Sequence, residues 1–262
     1  MRSRLARRLA SVAIQGFNVS TKETRPPLSQ TLRGFATVAD SCWNCEASTA
    51  SSTNSADFDF FCSSCGVILA PASANYFQLL GVCVIHRSTS DLRLTLRLCR
   101  VSRSEQKYAL DAGELEEAMK ARQKLLHPDK FSTKSQAERQ HSADQASAVN
   151  EAYGVLRDPL RRAKYILEER GWGVTERDGR DTPVDPELLM EVMEARESIE
   201  EAKGNVDKLK VLLEEHAARV KSCEEQTRSA LDAVPMNGET AKDAVVRLTY
   251  FVRIVEEIKS HM

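Results

Sequence analysis

The sequence predicts a mainly α-helical protein, in which a small metal-knuckle module precedes a helical hairpin and a C-terminal three-helix bundle. Aromatic residues make up only 6% of the 262 residues, while Glu, Lys, Ala and Leu are abundant, a composition typical of helices. Apolar residues recur at the helical period in several stretches that begin with capping residues. Two Cys-x-x-Cys pairs lie upstream. The chain therefore divides into a cysteine-rich part and a longer helical part.

Residues 1–36 have the composition of a mitochondrial transit peptide. They combine seven basic residues with a single acid, Glu23, in a background rich in Ser, Thr and Ala. Arg33-Gly34-Phe35-Ala36 resembles a cleavage site of matrix proteases, with cutting expected after Phe35. We expect a matrix protein; a disordered basic tail is the alternative, and an additional cytosolic pool stays open. The basic residues are Arg2, Arg4, Arg7, Arg8, Lys22, Arg25 and Arg33.

The charge of the mature chain argues against a nucleic-acid partner. Removing residues 1–36 changes the formal net charge from −1 to −7, which does not suit a basic nucleic-acid binder. Residues 65–85 contain no charge and could suggest a membrane span. Pro71, Asn75 and Gln78 interrupt this stretch, so we expect no membrane segment there.

Residues 37–72 are predicted to form a tetracysteine metal-binding module. Cys42-Trp43-Asn44-Cys45 is followed after sixteen residues by Cys62-Ser63-Ser64-Cys65. Two such zinc knuckles suit one tetrahedral ion, and thiolate ligands favour Zn²⁺, with iron as the competitor. A segment of about 35 residues buries too little apolar surface to fold alone, so the metal is expected to be structural. Two disulfides or a redox dithiol remain the alternatives.

A helical hairpin around His127-Pro128-Asp129 is the next predicted unit. A short helix spans about 75–81, and a second one opens at Asp111, where Glu114 completes a capping box. After the tripeptide, Ser135 and Glu138 form another capping box. The first long helix has an apolar stripe, which Arg122 interrupts, and a basic face. The stripe is Leu115, Ala118, Met119, Leu125 and Leu126, and the basic face is Lys120 and Lys124.

His127-Pro128-Asp129, the basic helix before it and the stretch 149–165 together resemble a J-domain, here 73–170. J-domains stimulate ATP hydrolysis by DnaK-type chaperones. The resemblance implies that Asp129 meets an arginine near the interdomain linker of the chaperone, while His127 and Pro128 shape the loop. It also implies that Lys120, Lys124 and Lys130 contact an acidic chaperone surface.

Residues 83–104 do not fit this resemblance, because J-domains join their first two helices by a short link. The segment contains five arginines and no lysine. We interpret it as an atypical insertion, and the sequence leaves open whether it is a variant loop or an artefact of the gene model. The roles of the spare cysteines Cys83, Cys99 and Cys223 also stay open.

After a linker at 171–184, residues 185–262 are predicted to form an antiparallel three-helix bundle from helices at about 186–203, 206–233 and 239–261. The first of these helices has an apolar stripe for the core. An adjacent face joins methionines to carboxylates, which suits docking of a basic partner or, alternatively, only a solvated surface. The core stripe is Leu188, Val192, Ala195, Ile199 and Ala202; the second face is Met190, Met193, Glu194, Glu197 and Glu201.

A J-domain followed by the helix that begins Leu188-Leu189-Met190 and by a bundle resembles the HscB-type co-chaperones of iron–sulfur cluster assembly. Their eukaryotic members carry an N-terminal four-cysteine module. The resemblance implies that an IscU-type scaffold protein binds this face, which an aromatic residue of the last helix completes. Tyr250 is the expected aromatic, with Phe251 as its neighbour. The implied scaffold-binding residues are Leu189, Met190, Met193, Glu194, Glu197, Glu201 and Tyr250.

The sequence thus predicts a co-chaperone that is not itself an enzyme. Two other interpretations remain: a general J-domain protein with other clients, and a thiol redox protein that uses its Cys-x-x-Cys pairs. Whether the chain forms a homodimer, and which chaperone paralogue it uses, stay open.

Overall fold

The computed structural model describes residues 41–48, 60–71, 74–82, 106–173 and 185–262. The leader at 1–36 and the atypical insertion at 83–104 lie outside these residues. The described part is mainly helical, as predicted, and none of its helices has the length and apolar composition that crossing a membrane requires. The helices are α1 Tyr76–Leu80, α2 Ala112–Leu125, α3 Gln136–Arg157, α4 Pro159–Glu169, α5 Pro186–Ala202, α6 Val206–Leu231 and α7 Gly238–Ser260.

Helix α1 is short but well specified at both ends. Asn75 and Gln78 form a reciprocal capping box, and Gly81 ends the helix at a positive φ of 66°, a conformation that glycine adopts without strain. The backbone N–H of Tyr76 donates to the hydroxyl of Tyr165 at 3.0 Å, and the two rings stack at 4.4 Å. This contact fastens α1 to α4, while α1 also packs on α3.

Helices α2 and α3 form the predicted antiparallel hairpin. Asp111 caps α2, and Ser135 with Glu138 forms the expected capping box of α3. One prediction is wrong: Leu125 belongs to the apolar stripe by spacing, yet it is 39% exposed, because the following Leu126 fills the space between the helices. The residues buried between the helices are Leu115, Met119, Leu126, Val149, Ala152, Val155 and Leu156.

Helix α4 is an element that the periodicity did not separate from α3. Asp158 ends α3 in an extended conformation, caps α4 through the N–H of Arg161, and precedes Pro159 at the first helical position. This Asp-Pro pair is the local signal for a new helix. One side of α4 packs on α3, and Leu160 packs against the core of the C-terminal bundle. Helix α4 therefore belongs to both halves.

The C-terminal bundle contains the three predicted helices, with ends within two residues of the predicted ones. The predicted core stripe of α5 is buried, together with Leu209, Leu248, Ile254 and Ile258 from the other two helices. Helices α5 and α7 run parallel, as the first and third helices of an up-down-up bundle must. Two ion pairs join them at 3.5 and 3.6 Å, Arg247–Asp185 and Arg196–Glu257.

The residues after α4 pack directly on the start of α7. Gly238, the first residue of α7, is buried beneath the indole of Trp172. A Cβ atom at position 238 would overlap this ring, so the close approach requires glycine here.

We predict that Gly238→Ala destabilises the protein, although alanine normally favours a helix over glycine. The ring of Trp172, which is 40% exposed, must shift to admit the methyl group, and overpacking of this kind costs about 1–3 kcal/mol in the free energy of unfolding. Urea unfolding followed by circular dichroism measures this loss. Adding Trp172→Ala to Gly238→Ala should recover part of it, because the overlapping ring is gone. An unchanged midpoint for Gly238→Ala would contradict the packing described.

Candidate functional site

The two cysteine knuckles have the same backbone geometry. In the first, Glu46 N donates to Cys42 O at 2.9 Å; in the second, Gly66 N donates to Cys62 O at 2.8 Å. The residue four positions after the first cysteine has a positive φ in both, 56° for Glu46 and 72° for Gly66. Repetition of this turn points two sulfur pairs towards each other.

The four sulfur atoms of Cys42, Cys45, Cys62 and Cys65 are placed as ligands of one ion. All lie within 4.8 Å of one another, and no disulfide joins them. The Cys42–Cys65 and Cys45–Cys62 sulfur distances are both 3.7 Å. A tetrahedral ion with metal–sulfur bonds of about 2.3 Å has sulfur–sulfur edges of about 3.8 Å. These thiols therefore fit a tetrahedral metal such as zinc.

Backbone hydrogen bonds favour the ionised form of one of these thiols, that of Cys62. The N–H groups of Cys65 and Ser64 donate to the sulfur of Cys62 and lower the pKa of that thiol to about 6. The thiolate is the form that binds a metal, so these two donors favour ligation by Cys62. The backbone N–H of Ala47 lowers the pKa of Cys45, but hydrogen bonds with the other three thiols and burial outweigh it and raise this pKa to about 12.

The module docks on both helices of the hairpin. Arg122 of α2 lies over the ring of Phe60 at 5.3 Å, and the buried Gln145 of α3 donates to the carbonyl of Leu69 at 3.2 Å. Trp43 packs against His141 of α3 with ring centroids 5.6 Å apart. These contacts explain why Arg122 interrupts the apolar stripe: it faces the cysteine module. Sequence periodicity alone did not reveal this role.

The His127-Pro128-Asp129 loop is held at its base and open at its tip. Ser142 of α3 donates to the carbonyl of Leu126 at 3.1 Å, and Phe131 is buried behind the loop. The N–H of Asp129 donates to Nδ1 of His127 at 3.3 Å, so the imidazole shapes the turn. The carboxylate of Asp129 is 90% exposed, and one of its oxygens lies 3.5 Å from Nδ1 of His127.

The three predicted lysines are exposed on the same end of the hairpin. Lys120 pairs with Glu116 at 2.6 Å, whereas Lys124 and Lys130 have no ion pair within the described part of the chain. Residues two apart on a helix point about 200° from each other, so Lys120 and Lys124 lie opposite Arg122 and the cysteine module. The basic face of α2 is therefore uncovered.

The predicted docking face of α5 is exposed and lacks internal partners. Met190 is 63% exposed, and Leu189 and Met193 are also exposed. Glu191 and Glu200, which flank this face, pair with Arg219 and Lys203. In contrast, no ion pair to the three exposed acids of the face occurs among the residues described. These acids are Glu194, Glu197 and Glu201.

The aromatic neighbours on α7 have different environments. Phe251 is 3% exposed and belongs to the bundle core, whereas Tyr250 is half-buried at the surface. Tyr250 lies between Arg247 and Glu257 along the side of α7 that pairs with α5. The structure therefore makes Tyr250, and not Phe251, available beside the α5 face.

Comparisons with known proteins agree with this architecture. Residues 184–259 match the family described as the HSCB C-terminal oligomerisation domain. An iron–sulfur cluster co-chaperone HscB homolog from Arabidopsis thaliana is 33% identical over 218 residues, covering 83% of this chain and 72% of the relative. Mouse HscB is 29% identical over 225 residues, covering 85% and 82% respectively.

Solved structures give the same result. The crystal structure of human HscB matches with a TM-score of 0.67 and 28% identity, covering 84% of this chain and 97% of that chain. HscB from Vibrio cholerae matches with a TM-score of 0.55 and 27% identity, covering 71% and 96%. The fold and these relatives define a co-chaperone. More particularly, the chain belongs to the HscB family of iron–sulfur cluster co-chaperones.

We predict that the tetracysteine site binds one metal ion per chain. Cys62→Ala removes one of four ligands, so elemental analysis of the purified variant should find little metal. The melting temperature should fall as well, because Phe60 and Leu69 then lose a firm attachment to the hairpin. Cys223→Ala is the control, since Cys223 is buried in the bundle core. Equal metal content in the two variants would contradict the assignment.

Proposed function

We propose that this protein binds an IscU-type iron–sulfur scaffold protein through its C-terminal bundle and delivers it to a DnaK-type mitochondrial chaperone. The His127-Pro128-Asp129 loop then stimulates the ATPase of the chaperone and promotes cluster transfer. The protein acts as an adaptor that biases the states of its partner and catalyses no reaction itself. The exposed Asp129 carboxylate on a firmly held hairpin is the observation that carries this proposal.

The geometry of the loop supports the chaperone contact. The hydrogen bond to His127 and the buried Phe131 hold the backbone, while the Asp129 carboxylate stays open to an arginine of the partner. The exposed lysines add long-range attraction to an acidic surface, which raises the association rate more than the affinity. The loop is therefore expected to control the ATPase rate, and Lys120, Lys124 and Lys130 the encounter.

The face of α5 supports the scaffold contact. Exposed methionines adapt to varied partner surfaces, and neighbouring carboxylates without internal ion pairs can attract basic groups. Leu189, Met190 and Met193 are each more than 40% exposed within a stretch of five residues, which makes this end of α5 an exposed apolar surface. Tyr250 adds a half-buried aromatic ring at the edge of this face. On α5, Met190 and Met193 lie one helical turn before Glu194 and Glu197, so apolar and acidic side chains adjoin on this face.

The tetracysteine site fits Zn²⁺, with iron as the competitor, and we propose a structural role for the ion. Cys42, Cys45, Cys62 and Cys65 would hold it, and its bonds would replace the core that so small a module lacks. The basic, acid-poor composition of 1–36 supports delivery to the mitochondrial matrix.

We predict that Asp129→Asn abolishes stimulation of the chaperone ATPase, because the amide cannot form an ion pair with an arginine. Scaffold affinity should stay unchanged, since the loop lies on the hairpin and not on the bundle. Single-turnover ATP hydrolysis and titration calorimetry measure the two effects. Asp207→Asn is the control, the same change at an exposed aspartate on α6. Normal stimulation by Asp129→Asn would refute the role of the loop.

We also predict that reversal of Glu194, Glu197 and Glu201 to lysine weakens scaffold binding by about tenfold or more, because like charges then oppose a basic partner. Titration calorimetry measures the affinity. The control reverses three exposed acids on the other two helices of the bundle and has the same total charge. These control positions are Glu214, Glu225 and Glu256. Equal scaffold affinity of the two triple variants would contradict scaffold binding by the α5 face and leave it as a solvated surface.

A further inference from the structure

Three segments from both halves of the protein meet at one junction. They are the segment 106–109 that leads into α2, the end of α4 at 170–172, and the connection between α6 and α7 at 231–238. Gln106, Tyr108 and Leu231 are all less than 5% exposed. This junction is therefore a buried contact between the hairpin and the bundle.

Asp232 is the bundle's main polar contribution to the junction. Its carboxylate accepts two backbone hydrogen bonds from the segment before α2, from Tyr108 N at 2.7 Å and from Ala109 N at 3.3 Å. A carboxylate that accepts two N–H groups makes a strong and directional contact. Because α2 begins at Ala112 and ends beside the His127-Pro128-Asp129 loop, Asp232 holds the start of the helix that presents the loop.

Arg170 makes the complementary contacts from the end of α4. One of its Nη atoms donates to the carbonyl of Leu231 at 2.8 Å, and the other donates to the carbonyl of Gln106. One planar guanidinium thus joins the bundle to the segment before α2. Arg162, also on α4, lies over the ring of Tyr108 at 4.7 Å and closes the same contact from the side.

The junction lies between the two proposed binding sites. Helix α2 connects it to the loop, and α7 connects it to Tyr250 beside the α5 face. Helices are stiff over these lengths, so contacts that fix the start of α2 on the start of α7 also fix the angle between the two sites. The contacts join residues that are distant in the chain: Tyr108 and Asp232 are 124 positions apart, and Arg170 and Leu231 are 61 apart.

We propose that Arg170 and Asp232 are positioning residues that hold the His127-Pro128-Asp129 loop at one orientation relative to the α5 face. This proposal rests on the proposed function. A bound scaffold then reaches the chaperone in the geometry in which it increases the ATPase rate further. We call the Arg170 and Asp232 contacts the clamp. Its loss frees the start of α2 from the bundle while α4 still packs in both halves, so the loop shifts relative to the α5 face and the increase that the scaffold adds falls.

The test compares Asp232→Ala and Arg170→Lys with the native full-length protein. Neither variant can make both of its contacts, whereas the control Asp207→Ala removes an exposed acid from the start of α6. Three quantities are measured: ATPase stimulation by the variant alone, scaffold affinity, and the additional stimulation when scaffold is present. We expect ATPase stimulation by the variant alone and scaffold affinity to stay within about twofold of the native values. The additional stimulation by scaffold should fall about fivefold or more, a change of the size that coupling between two sites typically produces.

A distance measurement tests the clamp independently of both partners. Lys134, near the loop, and Lys208, on α6, are each replaced by a keto-bearing amino acid, and a spin label is attached to each. Pulsed electron paramagnetic resonance then gives the distribution of distances between the two labels. The native protein and Asp207→Ala should give one narrow distribution, and Asp232→Ala a broad one. A narrow distribution in both junction variants, or an unchanged scaffold effect, would overturn the clamp. Absence of a scaffold effect in the native protein would instead refute the proposed function.

Discussion

The packing of α2 against α3 is the interaction on which the other parts of this protein depend. It buries Leu126 at the end of α2 and lets Ser142 of α3 bond to the last carbonyl, so the chain must turn at once. His127 and Phe131 then hold this turn, and Asp129 is left at its tip. An exposed carboxylate can meet a partner in one geometry only when its position is defined, and here two packed helices define it.

The remaining modules act on this hairpin from different sides. The cysteine module contacts Arg122 and Gln145, the α1 helix is fastened through Tyr76, and the bundle holds the start of α2 through Asp232. A metal in the tetracysteine site would therefore stabilise more than its own knuckles, because those knuckles cover one side of the hairpin. The basic side of α2, opposite this contact, stays uncovered.

Much of this architecture is predictable from local sequence signals. No knowledge of long-range contacts is needed to predict the start of α3 from Ser135 and Glu138, or the metal site from the two Cys-x-x-Cys pairs. The roles of Arg122 and Asp232 are not, because each is defined by a partner distant in the chain. The exposure of Leu125 was mispredicted for a related reason: spacing identifies the side of a helix, but a neighbour in three dimensions decides which of two adjacent leucines is covered.

We propose that one chain joins a scaffold-binding face to a loop that triggers a chaperone. The most direct test measures ATP hydrolysis by a mitochondrial DnaK-type chaperone with this protein alone, with the scaffold alone, and with both together. The account predicts stimulation by the protein alone, little by the scaffold alone, and a rate with both that exceeds the sum of the two separate effects. Stimulation that is only additive, or absent altogether, would contradict it.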